Sequence, residues 1–336
     1  MTSFFRATPP PVFLDEIQYA PGLFPYMKML LDASQQKGQF FLSGSQQFHM
    51  LKNVSESLAG RVGLLQLHGL SLREIHGVSF RQPSLPAPAY LEQRRHDIAH
   101  IEYNALWKHI QRGSMAAMVA QPAMETQDAV AQEWQMFYAA YTKSFIERDV
   151  RHLTQVGDEM KFLRFTTAIA ASTAQLMNYA SIARDVGVSQ PTVERWVSIL
   201  RASHLVYLLK PYHNNITKRA VKTPKMYFLD TGLAAYLTRW NTPEALRNGA
   251  MSGAFFETFV VAEVLKSYAN AGILEPPLYF YRDKDMREID LLIMDGDTVY
   301  PTEIKKHADP NRSDVAAFSL LDRIPGIQRG PGGVFV

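Results

Sequence analysis

The first eighty residues alternate short apolar runs with polar punctuation. Val12, Phe13 and Leu14 form a continuous apolar run, the pattern of a strand buried on both faces. Leu23 to Leu31 reads as a helix, and QFFLSGSQQF predicts a second buried strand ending in Ser43, Gly44, Ser45 and Gln46. SESLAGRVGLLQLHGLSLREI then predicts a helix start, Arg61, and a third strand running into Leu72, Arg73, Glu74 and Ile75. The proline-rich stretch QPSLPAPAY, 82–90, marks a boundary or linker. From Leu91 to about Leu153 the pattern is helical, with Trp107, Trp134, Phe137, Tyr138 and Tyr141 as packing residues.

Further on, QLMNYASIARDVGVSQPTVERWVSILRASHLVYLLKPY divides into a helix, a tight turn at Gly187, a second helix and an apolar strand. Ser189 suits an N-cap and Pro191 the first helical turn. Val193, Trp196, Val197 and Leu200 recur at helical spacing as one buried stripe, and Leu205 to Leu209 supplies the strand of a wing. This is the pattern of a winged helix-turn-helix. Beyond it, YFLDTGLAAYL leads into the amphipathic helix GAFFETFVVAEVLKSY, where Glu257 shares a stripe with Val260, Val261 and Val264. Three strand-like segments follow, LYFYR, EIDLLIM and VYPTEIK, the last two joined by a turn at Asp295–Gly296.

Composition narrows the chemistry. The 336 residues are 47% apolar and 20% charged, as in an ordinary water-exposed globular chain long enough for two or three cores. There is no cysteine, which excludes disulfides, thiolate zinc sites and cysteine nucleophiles. A formal charge of +3 means that a nucleic-acid partner has to be met by a local patch. No apolar run reaches the roughly 20 residues of a membrane helix, and MTSFFRATPPPVF has neither a basic leader nor a signal core. The expected location is therefore cytoplasmic, with no membrane partner.

Asp15 and Glu16 follow the first strand at its carboxyl end, where open α/β sheets bind ligands. In a P-loop ATPase such a pair divides the work: the aspartate helps hold Mg²⁺ and the glutamate orients or deprotonates the attacking water. A polar residue closing the neighbouring strand is where such ATPases sense the γ-phosphate. The series LDEIQ, LSGSQQF, SESLAGR and L-x-GLSLREI resembles the bacterial and archaeal AAA-type ATPases fused to a C-terminal nuclease-like domain of unknown function. The resemblance makes Asp15 and Glu16 the Walker B pair, with Glu16 catalytic, and puts Ser43 or Ser45 in the sensor strand. It gives Arg61 a phosphate contact in its own chain or a neighbour's, and ATP with Mg²⁺ as the family's cofactors. YTKSFIERDVRHL, 141–153, matches the same family, with Glu147, Arg148, Asp149 and Arg151 forming either a solvated helix face or a subunit or nucleotide contact. The phosphate loop G-x-x-x-x-G-K-[ST] occurs nowhere in the chain, and Gly44, Gly60, Gly63 and Gly69 precede no lysine in that register. The expectation is a family member lacking its first strand, phosphate loop and following helix, with little or no ATP hydrolysis of its own and an exposed sheet face. The ending GIQRGPGGVFV likewise reads as cut short.

Near the C terminus, Glu303 and Lys305 are two apart on a strand and so share a face, with Asp290 on the adjacent strand at hairpin distance. Two carboxylates give a hard cation such as Mg²⁺ or Mn²⁺ an oxygen-rich site. The lysine can orient water there or stabilise phosphorane charge. The D…E-x-K order resembles the PD-(D/E)xK nuclease fold, which implies Asp290 and Glu303 as metal ligands, Glu257 as an accessory ligand, and Lys305 as the helper of the catalytic base. Gln190, Thr192 and Arg195, early in the second helix of the helix-turn-helix, are the candidates for base contact. KRAVKTPK supplies a basic footprint of Lys218, Arg219, Lys222 and Lys225.

The predicted organisation is thus a multidomain α/β chain. Residues 1–80 form a partial P-loop NTPase sheet of AAA type, 81–158 a helical lid, 159–213 a winged helix-turn-helix, and 214–336 a restriction-endonuclease-like α/β domain. The functional expectation is a DNA-associated protein with a metal-dependent nuclease-like domain. Two alternatives stand beside it: a non-catalytic module that docks on DNA, on a protein or on its own copies, and an inactive fragment of an ATP-binding protein.

Overall fold

The computed structural model describes residues 2–34, 36–44, 58, 60–63, 65–95, 101–120, 126–145, 159–213, 223–307 and 309–336. The chain divides into two units, Met1–Leu65 with Asp149–Gln155, and Gln66–Arg148 with Val156–Val336.

In the first unit, helix α1 (Thr2–Ala7), strand β1 (Val12–Leu14), helix α2 (Phe24–Ser34) and strand β2 (Phe40–Leu42) follow one another. The strands pair in parallel, Val12 with Phe40 and Leu14 with Leu42. A parallel pair needs a crossover, which α2 supplies. Phe5, Ile17, Phe24, Met27 and Leu58 form the core beneath, packed on by Leu14, Phe40 and Leu42. The strands are not buried on both faces as the apolar runs suggested: Phe13 is 67% exposed and its register partner Phe41 55%. Side chains alternate along a strand, and the core lies on one side of this pair.

Among the described residues the predicted third strand is absent. Leu65 and Leu67 are exposed, and Leu72–Ile75 forms a short helix, α3, in the second unit. The cause is local. Ser71 accepts the Glu74 N–H, and Glu74 Oε2 accepts the Ser71 N–H at 2.8 Å, a reciprocal capping box that starts a helix.

The second unit continues with helices α4 (Pro88–Arg94), α5 (Tyr103–Arg112), α6 (Ala116–Val119) and α7 (Gln127–Ser144), where Trp107, Trp134 and Tyr138 are buried. The Pro-rich run before α4 is no free linker. Ser84 N donates to Ser267 Oγ at 2.9 Å, and Tyr268 Oη donates to the Ser84 carbonyl at 3.2 Å. Next come helix α8 (Glu159–Ala171), strand β3 (Gln175–Leu176), helices α9 (Tyr179–Val186) and α10 (Gln190–Ala202), and strands β4 (Val206–Pro211) and β5 (Lys225–Phe228). Gly187 ends α9 at φ 75°, where only glycine is unstrained, and Ser189 accepts the Thr192 N–H to cap α10. Val193, Trp196, Val197 and Leu200 are buried as their spacing predicts.

Helices α11 (Thr231–Leu237), α12 (Pro243–Asn248) and α13 (Ser252–Asn270) lead to strands β6 (Leu278–Arg282), β7 (Glu288–Asp295), β8 (Thr298–Ile304), β9 (Gln328–Arg329) and β10 (Gly333–Phe335). One eight-stranded sheet runs β10-β8-β7-β6-β4-β5-β3, with β9 also on β8. β3, β5 and β4 pair antiparallel, and β4 joins β6 in parallel at Lys210–Tyr279 and Pro211–Phe280. The sheet is therefore continuous from β4 to β6. Among the described residues no helix is long and apolar enough to cross a membrane.

His68 packs edge-on against His204 with ring centroids 5.7 Å apart. Burial, then the charges of His204 and Lys266, push the His68 pKa down to about 4, and burial lowers those of His204 and His109 as well. The unfolded chain takes up these protons near pH 6.5, whereas the folded chain resists them. Stability is thus full above about pH 6.5 and is lost as pH falls toward 4, by up to about 3 kcal/mol for His68 alone. Urea denaturation between pH 7.5 and 4.5 is expected to show this slope, reduced in His68→Gln.

Candidate functional site

The β7–β8 hairpin is closed by the Asp295–Thr298 pair, with Gly296 at φ 57° in the turn. Its register runs out through Leu291–Thr302, so Asp290 and Glu303 face one another one step beyond. Asp290 Oδ2 accepts the Ile304 N–H at 3.0 Å, which fixes the carboxylate against β8. Lys305, just past the strand end, places its ammonium 2.7 Å from Glu303 Oε2 and 3.8 Å from Asp290 Oδ2. Sequence spacing thus brings Asp290, Glu303 and Lys305 together.

A second ammonium enters from β5. Lys225 Nζ lies 2.6 Å from Glu257 Oε1 on α13, 2.7 Å from Glu288 Oε1 and 3.6 Å from Asp290 Oδ1 on β7, with its side chain 6% exposed. Tyr227 Oη donates to Glu257 Oε1 at 2.7 Å, and Arg282 lies 3.4 Å from Glu288 Oε2. Lys225 is therefore a correction to the basic footprint. The strand that carries it is buried on both sides, and its charge is spent on carboxylates rather than presented to phosphate. Lys218, Arg219 and Lys222 lie outside the described residues.

Four carboxylates meet three cations here, one carboxylate more than the cations can pair. Burial, then the Asp290 charge, raises the Glu303 pKa to about 8, against the Lys305 hydrogen bond. Burial likewise raises Glu257 despite Lys225. For the two lysines burial opposes the charge, but the surrounding carboxylates outweigh it and hold both pKa values up. Lys305 is thus a fixed cation and hydrogen-bond donor.

Among the described residues no group of three or more His, Asp or Glu side chains could hold a metal ion. The donor set is the pair Asp290 and Glu303, two hard oxygen donors whose mutual repulsion a divalent cation would relieve. In charge and ligand type the pair fits Mg²⁺ or Mn²⁺. Glu257 faces Lys225 and Tyr227, so its place is beside that pair rather than on it.

In the first unit, Asp15 and Ser43 come together: the Ser43 hydroxyl donates to Asp15 Oδ1, and the backbone closes through Ser43 N to Leu14 O at 3.0 Å and Ile17 N to Ser43 O at 3.1 Å. Glu16 sits in the left-handed region at φ 50° and accepts from Gln18 Nε2. Such a backbone is strained for a non-glycine residue. Arg61 Nε donates to Asp32 at 2.8 Å, and Ser45 lies outside the described residues. On α10, Gln190 and Arg195 are exposed and Thr192 half-buried. Gln190 Nε2 donates to Glu194 at 2.9 Å, and Thr192 shares a hydroxyl hydrogen bond with Ser189, so of the three only Arg195 brings positive charge to that helix face.

Sequence reasoning missed Glu288 and Tyr227. Glu288 carried a signal, since E-x-D spacing on a strand puts it on the face of Asp290.

Residues 2–76 match the model of an AAA domain, and residues 103–244 and 252–335 match two domains of unknown function, DUF8612 and DUF4143. The chain is 30% identical over 312 residues to an uncharacterized protein of Mycobacterium tuberculosis and to one of Mycobacterium bovis, a match that covers 93% of this chain. It spans only 62% of the length of these relatives. No solved structure matches. Together these findings make the N-terminal segment similar to an AAA domain and the C-terminal segment similar to DUF4143.

Proposed function

We propose that this AAA-type ATPase-like protein acts on nucleic acid, and that Asp290, Glu303 and Lys305 form a divalent-cation site for phosphodiester cleavage of the PD-(D/E)xK kind. The observation that carries this reading is the meeting of Asp290 and Glu303 across adjacent strands with one ammonium on both. Asp290 and Glu303 would hold the ion, which when bound supplies Lewis-acid polarisation and an activated water. Lys305, kept charged by its neighbours, donates to a non-bridging phosphate oxygen and offsets the charge that develops there. The helix pair α9–α10 and the strands β3, β5 and β4 have the order of a winged helix-turn-helix, and Arg195 on α10 is its candidate phosphate contact. In the first unit, the same reading gives Asp15 to the Mg²⁺ of ATP, Glu16 to the water and Ser43 to the sensor position.

A second reading, a docking module without cleavage, draws on one observation: Lys225 already neutralises Glu257 and Glu288. Incubation of the full chain with DNA and RNA in Mn²⁺ or Mg²⁺ separates the two. Metal-dependent cleavage is expected, falling by about 10²–10³-fold in Asp290→Asn and in Lys305→Ala. Cleavage that Asp290→Asn leaves intact would overturn the site. Binding to DNA or protein without cleavage would transfer the assignment to the docking module.

A further inference from the structure

Asp290 stands between two ammonium groups, Oδ1 toward Lys225 and Oδ2 toward Lys305. A carboxylate shared by two cations is the arrangement of a two-ion centre. Here one of the two positions is already filled by the chain itself. Lys225 reaches it from β5, and oxygens from three side chains, Glu257 on α13 and Glu288 and Asp290 on β7, converge on the one Nζ. An ammonium has three donors and no acceptor; Glu257 and Glu288 lie at hydrogen-bond distance from it, and Asp290 at 3.6 Å adds charge without a hydrogen bond.

We propose that Lys225 is a built-in cation, its ammonium occupying the place between Glu257, Glu288 and Asp290 Oδ1 that a second divalent ion would otherwise take, so that the cluster admits one exchangeable ion, on the Asp290–Glu303 side. The second half of this statement rests on the proposed metal site; the first does not. The consequence is a single-ion centre in which Lys225 is a positioning residue: it orients Asp290 and balances the second position permanently. The three carboxylates are no metal site as they stand, but without Lys225 they would face one another with only Arg282 and the Tyr227 hydroxyl nearby, and a divalent ion could replace the ammonium if the Glu257 and Glu288 oxygens closed by about 0.5 Å and that of Asp290 by about 1.5 Å.

The test counts ions rather than turnover. Electron paramagnetic resonance of Mn²⁺ titrated into the full chain is expected to give one bound ion per chain in the wild type and in Lys225→Arg. Lys225→Ala is expected to bind two, with the line broadening of a coupled pair. Should Lys225→Ala lose its fold in EDTA, Mn²⁺ is expected to restore its circular dichroism. Two ions in the wild type, one ion in a folded Lys225→Ala, or an unfolded Lys225→Ala that Mn²⁺ does not restore would each overturn the proposal. No ion in the wild type with one in Lys225→Ala would uphold the role of Lys225 and remove the Asp290–Glu303 site instead.

Discussion

Asp230→Ala is expected to destabilise the second unit by about 4 kcal/mol, a large share of a domain's stability. The Asp230 carboxylate is buried and accepts four hydrogen bonds: from Tyr138 Oη at 2.8 Å, Leu233 N at 2.7 Å, Ser114 N at 2.8 Å and Ser114 Oγ at 3.2 Å. It caps α11 while tying the start of that helix to α7 and to the turn after α5. Alanine would strand two backbone N–H groups away from water, while the phenol would keep the Arg112 carbonyl at 3.0 Å. Two glycines show how closely this knot is built. Gly113, at φ 88°, and Gly232 both lie against the Tyr138 hydroxyl, and a methyl on either would overlap it. Tyr138→Phe removes one of the four donors and is expected to cost only about 1–2 kcal/mol. Asp230→Asn should fall between, because an amide nitrogen cannot accept from Ser114. Urea denaturation followed by circular dichroism ranks the three. An Asp230→Ala within 1 kcal/mol of the wild type would mean that the carboxylate does not organise this junction.

How much of this was legible beforehand depends on how local the determining physics is. The caps at Gly187 and Ser189, the stripe of α10 and the hairpin of β7 and β8 follow from spacings of a few residues, and the structure has them where the sequence put them. So too for Asp290, Glu303 and Lys305, since one turn and the alternation of strands suffice to bring them together. The strand expected at Leu72 was overruled by another local signal, the S-x-x-E box of Ser71 and Glu74, which an apolar run had masked. Lys225 is different in kind. Its neighbours Lys218, Arg219 and Lys222 made it look like one more charge in a basic footprint. Only the pairing of β5 with β4, and the passage of α13 above, bring it beneath Glu257 and Glu288. Contacts between residues 32 and 63 positions apart leave no periodicity to read. The one available hint was composition: a lone lysine opening the wholly buried strand KMYF.

Glu263→Ala is expected to be as damaging as the loss of Asp230, at about 3–5 kcal/mol, while Lys266→Met should cost only about 1–2. The two residues stand three apart on α13 and form a clip that holds the chain at residues 70–72. Glu263 Oε1 accepts from Lys266 Nζ at 2.9 Å, and Oε2 accepts from Leu72 N at 2.8 Å. Lys266 Nζ also donates to the Leu70 carbonyl at 3.1 Å, with its side chain 6% exposed. The asymmetry follows from what each truncation leaves behind. Without Glu263 a buried ammonium keeps one neutral acceptor, and an N-terminal amide of α3 loses its partner. Without Lys266 the carboxylate, which is the more exposed of the two, still accepts from Leu72 and can take water on its other oxygen. A Glu263→Gln/Lys266→Met double variant should therefore recover much of the Glu263→Ala loss, because it keeps the acceptor for Leu72 N and removes the orphaned charge. Hydrogen exchange at residues 70–75 localises the effect: Leu72 is expected to exchange faster in Glu263→Ala and near the wild-type rate in the double variant. Equal losses in the two single variants would show that the pair acts only through its mutual charge, and that the chain segment before α3 is held by packing alone.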